Sequence, residues 1–207
     1  MGLKERRKRE KTERRNQILD AARALLFEKG LHATSINQIA KKAELGVGTI
    51  YFYYKSKEEI FADLQEEGLE LLFKRILKVS NLDLPPDEKL REIGFQYIRF
   101  NAENQDYYDI INYFLASPKI FFAPNLKSKV DRHGSQIIGL IVETIKTGIR
   151  SGLFQSSHPR RDALTFWGTL HGLIQFRKLK DTILDGDSHK TLLDHAVDHF
   201  INGLRLR

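Results

Sequence analysis

Residues 34–60 read Thr-Ser-Ile-Asn-Gln-Ile-Ala-Lys-Lys-Ala-Glu-Leu-Gly-Val-Gly-Thr-Ile-Tyr-Phe-Tyr-Tyr-Lys-Ser-Lys-Glu-Glu-Ile. Ser35 followed by Gln38 is a capping box, in which hydroxyl and amide side chains satisfy backbone N–H groups at a helix start. The short helix it opens turns Ile36, Ile39, Ala40 and Ala43 inward. Glu44-Leu45-Gly46 then turns the chain, and a further helix over about 47–53 buries Ile50, with Tyr54 packed beneath it. A second capping box, Ser56 with Glu59, starts a long helix whose apolar stripe is Ile60, Leu64, Leu71 and Leu72, running to about Val79. Two short helices on a three-residue turn, sharing a core of Ile39, Ala40, Leu45, Ile50 and Tyr54, have the form of a helix-turn-helix. In that arrangement one helix crosses the DNA backbone while the other lies in the major groove.

Outward from this stretch, apolar residues recur at three- and four-residue spacing and no strand-like alternation persists, so the chain reads as all-α with about nine helices. The first spans about 12–29, with Ile18, Ala22, Leu25 and Leu26 on one stripe and Gly30 as the left-handed stop. Later helices fall at about 87–104, 106–116, 126–150, 160–180 and 189–205, separated by Pro85-Pro86, Ser117-Pro118, Ala123-Pro124, Gly152, Pro159 and Asp185-Gly186. Residues 1–55 are expected to form the helix-turn-helix domain with a basic N-terminal arm, and 56–207 a helical ligand-binding and dimerisation domain. The arm, Lys4 to Arg15, holds eight basic and three acidic residues and no apolar stripe, and is expected to be disordered when free.

Charge is unevenly divided. Residues 1–57 carry 14 Lys and Arg against 6 Asp and Glu, a net +8, while the remainder carries −1. Concentrated positive charge at one end is a footprint for a polyanion, either nucleic acid or an acidic membrane surface. A membrane-surface helix needs an exposed apolar face, which residues 4–15 lack. No apolar run approaches the length of a membrane span, no secretory signal is visible at the start, and cysteine is absent, so the expected location is the cytoplasm. No phosphate loop or serine elbow marks an enzyme, and no cofactor is expected. His195 and His199 stand at i, i+4, yet no third ligand is evident, so no metal site is expected either.

The segment Thr34 to Ala40, followed by Gly48-Thr49-Ile50-Tyr51-Phe52-Tyr53-Tyr54-Lys55-Ser56-Lys57-Glu58-Glu59-Ile60, resembles the TetR/AcrR family of bacterial regulators. The resemblance implies a homodimer on a double-stranded DNA operator, released by a small-molecule effector. By position it implies that Thr49 and Tyr51 hold phosphates, that Tyr53 lies in or beside the groove, and that Lys57 meets a phosphate. Ser35, Asn37, Gln38, Val47 and Lys55 complete the expected DNA-binding set. Glu44 stands where the family often has glycine, and Gly46-Val47 where a polar pair is common; Val47 can read only an apolar feature such as a thymine methyl. Among the aromatics of this helix, Tyr54 reads as core, and Phe52 with it.

An effector site among the later helices is expected to be apolar with a few placed polar groups. The candidates are Tyr97, Phe100, Asn101, Tyr108, Phe114, Phe122, His133, Trp167, His171 and Gln175, implying an apolar or aromatic ligand. Gly168 and Gly172, four apart, permit close approach of another helix, either within the subunit or in a four-helix dimer interface built from the last two helices; the second reading is favoured.

Overall fold

The computed structural model describes residues 2–116, 124–176 and 188–205, with Ala116 and 124–130 by backbone alone. Among the described residues there are nine helices: α1 (Leu3–Lys29), α2 (Ile36–Lys42), α3 (Val47–Tyr53), α4 (Lys57–Ser80), α5 (Pro86–Glu103), α6 (Gln105–Ala116), α7 (Pro124–Arg150), α8 (Pro159–Gln175) and α9 (His189–Leu204). The all-α expectation holds, and the sole β contact among them is an isolated bridge between Phe154 and Arg205.

Contacts gather the chain into two units, and the boundary expected at 55/56 falls inside the first. That unit comprises the described residues of Met1–Gly68 and Asn104–Val130. Its core joins Ile18, Ala22, Leu25 and Leu26 of α1 to Ile39 and Ala40 of α2, Ile50 of α3, Tyr54, and Ile60, Phe61 and Leu64 of α4. Each such large side chain contributes about 1.5–3 kcal/mol on burial. Leu45 and Ile36, expected in this core, are only half-buried. Gly68 lets Tyr107 of α6 lie on α4, since a Cβ there would come within 2.8 Å of the tyrosine ring.

The second unit comprises the described residues of Leu69–Glu103 and Asp131–Arg207. Leu72, Ile76 and Val79 of α4, Leu90, Ile93, Tyr97 and Phe100 of α5, and Ile137, Ile141 and Ile145 of α7 are buried in it, with Phe166 and Leu170 of α8 and Val197 and Ile201 of α9. Arg91 of α5 pairs with Asp198 of α9, and Arg205 with Asp87.

Three expectations need correction. Leu71 is 40% exposed, because the buried row on α4 passes through Leu64, Leu72 and Ile76, and Leu71 lies about 100° away from Leu72. The basic arm is helical, α1 beginning at Leu3. Packing at Ile18 to Leu26 nucleates the helix, after which each added residue costs little, and Arg6–Glu10 and Arg9–Glu13 pair at 3.0 Å along the exposed extension. Helix α8 ends at Gln175, and residues 177–187 of the expected 160–180 helix and following loop lie outside the described residues.

Candidate nucleic-acid interface

The helix-turn-helix is set locally by its caps. Ser35 Oγ accepts the Gln38 N–H, and the Gln38 side-chain oxygen accepts from the Ser35 N–H at 2.9 Å, so this oxygen is engaged in the cap. Buried Thr34 donates from Oγ1 to the Gly30 carbonyl at 2.9 Å, tying the end of α1 to the start of α2. In the turn, Glu44 takes a positive φ of 54°, a left-handed conformation that disfavours residues with a Cβ. Gly46 is the N-cap of α3. At the second box Ser56 Oγ accepts the Glu59 N–H, whereas the Glu59 carboxylate takes the Lys55 N–H at 2.7 Å in place of that of Ser56.

Charge then locks α4 to the unit. Asp63 accepts from Arg15 of α1 at 2.7 Å and from the Tyr54 hydroxyl at 2.9 Å, and the Arg15 guanidinium lies 4.5 Å from the centre of the Tyr54 ring. Burial first, and then the Asp63 carboxylate, push the Tyr54 phenol above its ordinary value, so it stays a protonated donor. One turn along α4, Glu67 accepts from Arg23 at 2.7 Å and from the Tyr107 hydroxyl at 2.8 Å. Two carboxylates four apart on α4 thus meet two arginines eight apart on α1, which fixes the register of the two helices.

The outward face of α3 differs from expectation in one respect. Tyr51 and Val47 are exposed, at 53% and 39%, and Thr49 and Tyr53 are half-buried. Phe52, read as core, is 79% exposed. On a seven-residue helix buried chiefly through Ile50, Phe52 stands on the far side, and its ring is held edge-on by Tyr53 at 5.1 Å. Asn37 and Lys55 are exposed, and the Lys57 ammonium sits 5.3 Å from the centre of the Phe61 ring. Sequence reasoning missed Phe52 because aromatic character signals burial equally well on either side of so short a helix. By contrast, a cleft of about 540 Å³ between α1 and α2 is lined by Glu13, Asp20 and Glu44 with Lys42, a surplus of carboxylates unsuited to phosphate.

Of the effector candidates, the second unit brings together Tyr97, Trp167 and His171: the tyrosine ring lies 4.1 Å from that of Trp167, and its hydroxyl 2.7 Å from His171 Nδ1. Burial holds the His171 imidazole below its ordinary value. Phe100 is buried, with the Arg75 guanidinium 5.6 Å from its ring centre. Asn101 is 2% exposed and its Nδ2 has no hydrogen-bond partner among the described residues; the same holds for the buried Nδ1 of His133. Gln175 is half-buried on α8. Tyr108 and Phe114 are buried in the first unit, and Phe122 lies outside the described residues. His195 and His199 stack at 6.0 Å on α9, and no described group of three His, Cys, Asp or Glu is placed to hold a metal.

A capped helix pair with an exposed, basic-flanked second helix defines a helix-turn-helix DNA-binding protein. Residues 18–64 match the model of bacterial regulatory proteins of the tetR family, and residues 90–200, more than half the chain, match the tetracyclin repressor-like C-terminal domain. The chain belongs to the TetR family, whose members bind operator DNA as dimers and respond to small-molecule effectors; it is a ligand-responsive, DNA-binding transcriptional repressor. It is 28% identical over 142 residues to the HTH-type transcriptional repressor KstR2 of Mycobacterium tuberculosis, covering 69% of this chain and 70% of that one. To the fatty acid metabolism regulator protein of Bacillus subtilis it is 26% identical over 138 residues, covering 66% and 71%. In fold it is similar to the transcriptional regulator FadR from Bacillus subtilis in complex with stearoyl-CoA, with a TM-score of 0.71, 22% identity and coverage of 91% and 98%. No helix among the described residues is long and apolar enough to cross a membrane.

Proposed function

We propose that this repressor works in the cytoplasm without a catalytic step, and that a ligand carrying a long acyl chain releases it from DNA. The observation that carries the ligand reading is the Asn101 amide, buried beside Tyr97 on the same face of α5 with a donor left unsatisfied. An orphaned buried donor costs about 1–3 kcal/mol, and a ligand carbonyl entering an aromatic layer would recover it. The names of two similar proteins support the class: one is a fatty acid metabolism regulator, the other was solved with stearoyl-CoA. Tyr97, Phe100 and Trp167 supply apolar lining for the chain, with His133, His171 and Gln175 at its polar end.

On the DNA side, Tyr51 and Thr49 hold phosphates, Lys55 and Lys57 add charge, Ser35, Asn37 and Gln38 approach from α2, and Val47 and Tyr53 meet the groove. The dimer forms through α8 and α9. Gly168 and Gly172 are exposed, and a Cβ on either would meet nothing within 4 Å among the described residues, so packing against these does not explain them; Leu164, 49% exposed, continues the same row.

Titrating straight-chain acyl thioesters of increasing length, with and without saturating operator, tests the reading. Affinity should rise with each added methylene, and operator should lower it by the factor by which ligand lowers operator affinity, typically about 5–150-fold. Asn101→Leu should weaken ligand binding while leaving operator binding intact. Equal ligand affinity in the presence and absence of operator, or no binding at any chain length, would reject acyl control.

A further inference from the structure

The outward side of α3 is unusual for a surface meant to read DNA. From Val47 to Tyr53 there is no Arg, Lys, Asn, Gln, Asp or Glu. The strongest direct contacts, Arg or Lys to guanine and Asn or Gln to adenine, therefore cannot come from this helix. What it exposes is Val47, Gly48, Tyr51 and Phe52. At 3.6 residues per turn these four occupy one sector of about 140°, in the order Val47, Tyr51, Gly48, Phe52. Ile50 faces the core from the other side.

Folding does not account for this face. Phe52 is 79% exposed, so it forgoes most of what burial in a core would contribute, and its ring is steadied only from the side by Tyr53. A Cβ on Gly48 would meet nothing within 4 Å among the described residues, so no packing demand from them keeps that position small; its effect is a gap between Tyr51 and Phe52 on the exposed face. The surroundings specify the occupant. Residues 1–57 carry a net +8, and Lys55 and Lys57 follow immediately. An apolar strip in a basic frame complements a groove floor bearing methyl groups between two rows of phosphates. In the major groove the one apolar feature of the four bases is the C5-methyl of thymine.

We infer that Val47, Tyr51 and Phe52 form an apolar reading face for thymine methyl groups, with the Gly48 gap admitting a methyl between the rings, so that neighbouring thymines specify each operator half-site. This rests on the DNA-binding reading of α3, moves the discriminating role from Tyr53 to Phe52, and divides Tyr51 between its ring, which faces the methyls, and its hydroxyl, which holds the phosphate. Tyr53, half-buried, acts as the brace that holds the Phe52 ring.

The test uses the full-length protein and duplexes selected by it from a random pool. Each half-site thymine is replaced in turn by uracil, which removes one methyl and keeps every pairing atom and charge. A contacted methyl should cost about fourfold in affinity, the equivalent of about 0.8 kcal/mol for one buried carbon. In Phe52→Ala the same replacement should cost nothing at the thymines that Phe52 touches, and Phe52→Leu should restore part of the penalty. Because the side chain is exposed, both variants should unfold at the wild-type temperature, which separates lost reading from lost fold. Uracil duplexes that bind as tightly as thymine duplexes overturn the inference, as does a penalty undiminished in Phe52→Ala, Tyr51→Ala and Val47→Ala alike. The same titrations hold the control: a protein that prefers selected over random duplex yet ignores the methyls loses this inference alone, whereas one with no preference at physiological salt loses the α3 reading as well.

Discussion

Glu44 and His171 are single residues whose settings carry measurable consequences. Glu44 holds a φ of 54° in the turn between α2 and α3, a conformation that costs a residue with a Cβ about 1–2 kcal/mol. Glycine removes that strain but loosens the unfolded chain by about 0.4–1 kcal/mol. Glu44→Gly should therefore raise stability by up to about 1 kcal/mol, read from urea midpoints at constant slope. A loss of stability would show that the Glu44 side chain contributes more than the strain it imposes. His171 sits against the Tyr97 hydroxyl with its imidazole held below its ordinary 6.5 by burial. As pH falls through that ordinary value the unfolded chain takes up a proton that the folded chain refuses, so the folded state loses stability. The loss levels off once the folded imidazole is protonated too. Unfolding temperatures between about pH 8 and 5 should fall more steeply for wild type than for His171→Gln; parallel curves would assign the acid sensitivity to other groups.

Helix α3 is the element on which stability and function pull apart. Gly48 lies in the first turn of α3, where alanine is favoured by up to about 1 kcal/mol, and its Cβ position is open among the described residues. Gly48→Ala should accordingly raise the unfolding temperature. Against DNA, the added methyl fills the gap on the reading face, and an overfilled contact costs about 1–3 kcal/mol, so affinity for the selected operator should fall about fivefold or more. Measuring both on one preparation decides the matter, since unchanged operator affinity would mean that the groove does not approach Gly48. The helices were largely legible as elements. Apolar spacing, capping boxes and Pro or Gly punctuation placed α3, α5, α6 and α9 within a residue or so of their observed ends. The start of α1 was not legible, because the basic arm has no apolar stripe of its own and is helical as an extension of a segment packed further along the chain.

For the whole molecule the decisive interaction is between two copies. Gly168 is exposed on α8 with nothing near its Cβ position among the described residues, so these leave room for a large side chain there. In a close helix-to-helix interface it is not tolerated. Gly168→Arg should leave the helical content and unfolding of the single chain intact while shifting sedimentation from dimer to monomer. Binding to a two-half-site operator should then lose its steep concentration dependence, and affinity should fall towards that of a single half-site. A variant that remains dimeric would move the interface away from α8.

The helix-turn-helix and the family were readable from the chain alone because both rest on local chemistry. Ser35 and Gln38 form a cap wherever they stand three apart before an apolar run, and Gly48 to Ile60 is a contiguous string whose recognition needs no fold. What depended on the folded chain was which side of an element faces inward, and which distant side chains meet. Leu71 and Leu72 are equally apolar neighbours, and only packing against other helices buries the second and exposes the first. Phe52 and Tyr54 are both aromatic, yet Tyr54 is claimed by Asp63 and Arg15 from two other helices while Phe52 is left in the open. The pairing of Glu67 with Arg23 and Tyr107, and the Asn101 Nδ2 that finds no partner among the described residues, are likewise invisible along the sequence. Each depends on the register between helices tens of residues apart, which close packing sets and local propensity does not.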